Sequence, residues 1–146
     1  MEKNRIKDPC IAKEKYDNIL HIISKLPYNE WVEYINMNQD YYTWYENTED
    51  GIYSKNHIDE YPKWSQEKVS YSLNKTKVLA EFNKKKGYYE IVVQYIDKLN
   101  VIGTTFMKPI KKEHLIKLLD MANYLDALLL NHGDEIIDEK VIESLE

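Results

Sequence analysis

The chain is poor in cysteine, glycine and proline, with 1 Cys, 4 Gly and 4 Pro in 146 residues. A lone Cys10 excludes an intramolecular disulfide and a cysteine-rich zinc site. Gly51, Gly87, Gly103 and Gly133 stand isolated, so no Gly-rich phosphate-cradling loop is present. Low-complexity linkers and internal repeats are absent as well. No run approaches the roughly 18 uninterrupted apolar residues that a membrane span requires. The opening MEKNRIKDPC carries charge where a signal peptide would hold an apolar core, so a cytoplasmic protein without membrane contact is expected.

What is present reads as a single α+β domain over residues 1–146. Hydrophobic residues make up 43% and charged residues 31%, a globular balance. The organising stretch is 76–109, where period-two alternation predicts three consecutive antiparallel strands. Tyr89, Ile91, Val93 and Tyr95 share one face of the middle strand, with β-branched and aromatic residues throughout. Turns at Asn83–Gly87 and Asp97–Asn100 close the two hairpins. Such a meander needs helices to cover its apolar face.

Two helices are expected to do so. Asp8-Pro9 reads as a cap followed by a first-turn proline, and Ala12, Tyr16, Ile19, Leu20, Ile23 and Leu26 recur at helical spacing, predicting an N-terminal helix over about 9–25. Leu115, Leu118, Leu119, Ala122 and Leu125 predict a second over about 111–125. Between them, 28–37 fits either a helix, with Trp31, Tyr34 and Ile35 on one face, or a strand, and the short helix is preferred; 41–46 reads as a strand, 47–62 as a long polar loop and 68–73 as a short strand. Residues 126–137 fit either a helix continuing from 125 or a hairpin turning at Asn131–Asp134. The hairpin is preferred, with Asp138 capping a short terminal helix. The expected core joins Val78, Phe82, Ile91, Val93, Ile102, Phe106, Leu115, Leu118, Leu119 and Leu125 to Ile19, Ile23 and Leu26.

Charge and aromatics are unevenly placed. Between Glu30 and Glu60, Glu30, Glu33, Asp40, Glu46, Glu49, Asp50, Asp59 and Glu60 face Lys55 alone. The chain has 13 Tyr and 3 Trp against 2 Phe, and Tyr41, Tyr42, Trp44 and Trp64 fall in or just beyond that acidic stretch. The plain interpretation is one solvated face and one core strand. The sharper one is a binding surface, because Tyr and Trp give large contact area with a polar handle. Candidate binding residues are Tyr41, Tyr42, Trp44, Asp50, Asp59, Glu60 and Trp64. Acids interleaved with aromatics repel phosphates, which disfavours nucleic acid. Lysines at 84–86 and 108–112 offer a weaker basic edge.

No catalytic, cofactor or metal motif emerges. His57-Ile58-Asp59-Glu60 and His132-Gly133-Asp134 pair histidine with carboxylates, and a metal site would need the two loops to converge. Cys10, placed in a first helical turn, would have its thiol activated by the helix dipole. No serine stands in a nucleophile-elbow context.

The functional expectation is therefore a non-enzymatic protein-binding module. It would act as an immunity-type inhibitor that blocks a basic partner, such as a nuclease toxin, through an acidic Tyr/Trp-rich surface. One alternative is a small enzyme or ligand-binding domain with its site at the 47–62 loop and His132. The other is a nucleic-acid binder using the lysine clusters.

Overall fold

A computed structural model describes residues 5–145. In chain order the elements are β1 (Cys10–Ala12), α1 (Tyr28–Met37), β2 (Thr43–Trp44), α2 (Glu49–Asn56), α3 (Lys63–Ser72), β3 (Lys77–Asn83), β4 (Tyr88–Ile96), β5 (Val101–Phe106), α4 (Lys112–Tyr124), β6 (Leu128–Asn131), β7 (Glu135–Ile136) and α5 (Glu139–Ser144). The strands form one antiparallel sheet in the order β2-β3-β4-β5-β1-β6-β7. This is an α+β fold.

The meander is present as β3, β4 and β5. Gly87 closes the first turn at φ 79, its N–H donating to the Asn83 carbonyl at 2.8 Å. Asn100 closes the second in the left-handed region at φ 57. Helix α1 matches the 28–37 expectation, and α4 lies within 111–125. Residues 126–137 form the hairpin β6–β7, turning through His132 and Gly133 at φ 57 and 81. Asp138 caps α5 by accepting the Val141 N–H at 2.9 Å.

The N-terminal helix over 9–25 does not form. Residues 10–12 are instead strand β1, inserted between β5 and β6, with Ile11 paired to both Ile102 and Leu129. Ile11 is wholly buried. Pairing with two strands satisfies the backbone on both sides, which outweighs a local helix preference worth tenths of a kcal/mol per residue. Asp8 adopts φ 42 and accepts the Phe106 N–H at 3.2 Å rather than capping a helix. The helical spacing downstream reduces to one short turn at Ile19–His21, capped by Asn18. Of its apolar residues Ile22 and Leu26 are buried, whereas Ile23 is 82% exposed.

Three further segments differ. The expected loop at 47–62 contains α2, whose cap Thr48 accepts the Gly51 N–H at 3.0 Å, and a turn at Ile58–Glu60. The expected strand at 68–73 is the second half of α3. Both helices are polar and carry little apolar periodicity, the signal from which a helix is read. The strand at 41–46 is shortened to Thr43–Trp44, with Tyr45–Asn47 a tight turn.

The main core lies on one sheet face. Val78, Ala80, Ile91, Val93, Ile102, Ile11 and Leu129 pack against Trp31, Tyr34 and Ile35 of α1, Leu115, Leu118 and Met121 of α4, and Ile142 of α5. A smaller cluster of Cys10, Ala12, Val101 and Leu130 lies under Ile22, the alternate residues of the same strands. Phe106 and Leu119 are partly buried against the main core. Ile19 and Ile23 are outside it, as is Phe82, which is 51% exposed. The cause for Phe82 is its neighbour. Glu81 sits at φ 57, and the pairing steps from Ala80↔Ile91 to Phe82↔Tyr89 without a Glu81–Glu90 pair. Alternation breaks there, so Phe82 packs on Tyr89 at a centroid distance of 5.0 Å instead of in the core.

Candidate functional site

The seven residues singled out from the sequence separate into core and surface. Tyr42 and Trp44 are core residues, each 3% exposed, and cannot serve as surface anchors. Trp44 pairs with Val78 on β3, stacks edge-on to Trp31 at 5.6 Å and donates its indole N–H to Asn36 at 3.1 Å. Tyr41 is half-buried: its hydroxyl donates to Glu81 at 2.6 Å, and the Lys117 ammonium lies 4.3 Å over its ring. Asp50, in the first turn of α2, lines a separate cleft with Leu79, Tyr88 and Tyr89. Asp59 and Glu60 are exposed on the turn that leads through Pro62 into α3. Trp64, in the first turn of α3, is 80% exposed.

Trp64 stands at an open groove of about 710 Å³ between α3 and the end of β4. One wall carries Trp64, Glu67, Lys68 and Tyr71; the other carries Gln94, Ile96, Asp97 and Lys98. The two walls are fastened together. The Tyr71 hydroxyl donates to the Tyr95 carbonyl at 2.6 Å and accepts the Asp97 N–H at 3.1 Å, and Gln94 donates to Ser72 at 3.2 Å. Burial pushes the Tyr71 phenol above its ordinary range, so it stays protonated as the donor. Across the rim the Lys98 ammonium lies 3.6 Å from the Glu67 carboxylate, with both side chains in solvent. Tyr71, Gln94 and Asp97 were not apparent from the sequence, because 20 or more positions separate α3 from this part of β4.

A second constellation, also missed, centres on Glu81. Its carboxylate accepts from the Lys108 ammonium at 2.7 Å and from the Tyr41 hydroxyl at 2.6 Å. The buried His114 ring brings Nε2 to 2.9 Å from the same carboxylate, but off the line of a hydrogen bond, so the contact is one of charge and dipole. The other ring nitrogen, Nδ1, accepts the Lys111 N–H at 2.9 Å, which places the proton of a neutral ring on Nε2. Lys108 also lies 3.7 Å from Glu90. Burial alone would raise the Glu81 carboxyl, but the bonds from Lys108 and Tyr41 and the nearby positive charge outweigh it and hold the carboxyl below its usual range. The group ties α4 and the chain around Tyr41 to the irregular point of β3. The sequence signal was faint: a glutamate in a strand position otherwise facing Lys77 and Leu79.

The remaining candidates disperse. His57 stacks on Tyr53 at 3.9 Å and lies at the end of α2, whereas His132 is in the β6–β7 turn. Helix α2 lies by the β2–β3 edge and the β6–β7 turn by the opposite edge, so the two histidine clusters do not converge. Among the described residues no three His, Cys, Asp or Glu side chains gather as a metal ion would require. Cys10 is in a buried strand, not a helical turn. Its sulfur is 2.7 Å from the Tyr16 hydroxyl, and burial pushes the thiol up, away from the reactive thiolate. Lys84, Lys85 and Lys86 are exposed on the β3–β4 turn, but Lys108 is engaged by two glutamates. Among the described residues no helix is long and apolar enough to cross a membrane. Compared with known proteins, the chain matches no family model, no curated protein and no solved structure.

Proposed function

We propose that this protein is a non-catalytic protein-binding module that engages a basic partner through the surface around Trp64. The observation that carries this reading is the contrast among its tryptophans. Trp31 and Trp44 are buried, while Trp64 leaves 80% of its surface in water at the rim of an open groove. A tryptophan is the most costly side chain to leave wet, and tryptophans are enriched among the anchors of protein interfaces. Asp59 and Glu60 lie just ahead of α3, Glu67 one turn beyond Trp64 and Asp97 on the facing wall. Glu67 and Asp97 are balanced by Lys68 and Lys98 in the groove itself, so the negative excess lies at its approach, where Asp59 and Glu60 stand against Lys63. These two carboxylates favour a positively charged partner and speed encounter with it. Inhibition of an enzymatic partner, as an immunity-type protein achieves, would follow by occlusion.

The test is affinity capture from the native host with the wild-type protein, Trp64→Ala and the double reversal Asp59→Lys, Glu60→Lys. The reading expects a basic protein retained by wild type and lost with Trp64→Ala. Equal capture by all three would defeat it.

A further inference from the structure

We propose that Lys98 is a built-in competitor at the Trp64 groove. In the free protein it holds Glu67, and an arginine or lysine of the partner displaces it as that cation settles across the Trp64 indole. The inference rests on the protein-binding reading of this groove and goes beyond it by naming the side-chain chemistry that the groove takes.

Two observations point to a cation. The first is how this chain treats its other aromatics. Lys75 lies 5.5 Å over Trp44, Lys77 4.5 Å over Tyr45 and Lys117 4.3 Å over Tyr41. Trp64 is more exposed than any of these rings, yet among the described residues no ammonium lies over it. Its ring face is open to a cation supplied from outside, and indole is the strongest of the cation-binding rings.

The second observation is Lys98 itself. Glu67 follows Trp64 by three residues on α3, so both project from the same side of the helix. The Lys98 ammonium already rests 3.6 Å from Glu67, at the place where an arriving cation beside the indole would find its carboxylate. An exposed pair of this kind is weak, so it is readily exchanged. The facing wall does not yield in the exchange, because Tyr71 pins Asp97 and the Tyr95 carbonyl to α3. Only the Lys98 side chain has to move. Asp97 remains to receive a second basic group.

Fluorescence anisotropy with a short fluorescein-labelled oligoarginine peptide tests this on the full chain. Trp64→Ala should weaken binding about three- to tenfold, the range of a partly hydrated cation–π contact. Lys98→Ala should tighten it about two- to fivefold, matching the strength of the pair released. The distinguishing measurement is the double variant. In a Glu67→Gln background Lys98→Ala should give no further tightening, whereas mere removal of a positive charge would tighten binding in both backgrounds. Lys68→Ala removes the same charge away from Glu67 and serves as the control. A Lys98→Ala gain that persists without Glu67, or is matched by Lys68→Ala, overturns the inference, as does peptide binding that ignores Trp64→Ala. If capture of the natural partner still requires Trp64 in that case, the competitor role of Lys98 falls while the protein-binding reading stands. If neither peptide nor partner responds to Trp64→Ala, both fall.

Discussion

The Tyr41 hydroxyl donates to the Glu81 carboxylate at 2.6 Å, fastening the chain ahead of β2 to the one residue of β3 whose backbone is left-handed. Glu81 is thus held in a conformation that costs an L-residue about 1–2 kcal/mol. Its contacts with Lys108, Tyr41 and His114 offset that cost.

Replacing Glu81 separates the two terms. Glu81→Ala loses the contacts and keeps the backbone cost, so urea denaturation at neutral pH should show a loss of about 1–3 kcal/mol. Glu81→Gly loses the same contacts but relaxes φ 57, and should be less destabilised than the alanine variant by roughly 1 kcal/mol. Equal stabilities would show that the backbone at Glu81 is unstrained.

The same residue gives a pH dependence of known sign. Its carboxyl in the folded protein lies below the usual range, so its contribution is complete above the unfolded value of about 4.3. The contribution disappears as pH falls through the lower folded value. The stability difference between wild type and Glu81→Gln should therefore hold from pH 7 to 5 and shrink below pH 4. A difference that grows on acidification would contradict the lowered carboxyl.

In the core, Ile91 and Leu118 are each 2% exposed and face one another's elements across the sheet–helix interface. Ile91→Ala or Leu118→Ala should each cost roughly 2–5 kcal/mol by denaturant unfolding. Unchanged stability in both would remove the assignment of the buried face.

Two glycines should respond differently to alanine. At Gly51 a Cβ would collide with the Tyr45 carbonyl, so Gly51→Ala should be severely destabilising, roughly 3 kcal/mol. At Gly87 a Cβ meets nothing within 4 Å, and only φ 79 opposes it, for a cost of roughly 1 kcal/mol. Thermal melts of the two variants rank them directly.

For the proposed interface, charge reversal at Asp59 and Glu60 should slow association with a captured basic partner and flatten its salt dependence. Trp64→Ala should act mainly on dissociation. Stopped-flow and surface-immobilisation kinetics separate the two effects, and a Trp64→Ala variant with an unaltered off-rate would remove Trp64 as the anchor.

The sequence by itself determined the meander and α4; it favoured α1, the β6–β7 hairpin and the Asp138 cap while leaving a strand at 28–37 and a continuing helix at 126–137 open, and the structure decided those two. In each, the signal lies within a dozen neighbouring residues: alternation for the strands, 3.6-residue spacing for the longer helices, Gly or Asn where a turn needs φ above zero. It also marked Trp64, Asp59 and Glu60 as surface candidates, and the shared face of Tyr42 and Trp44 offered a core reading for that pair, but their burial was decided only by α1 closing over the β2 edge. Tertiary structure alone decided the rest. Cys10–Ala12 carries helix signals on both sides, yet Ile11 gains two strand partners, Ile102 and Leu129, from about 90 and 118 positions away, and hydrogen bonds at that separation leave no trace in local periodicity. The groove wall of Gln94 and Asp97 and the convergence of Tyr41, Lys108 and His114 on Glu81 have the same origin. They exist because distant segments pack together, and packing, unlike helix or strand preference, is not a property of neighbouring residues.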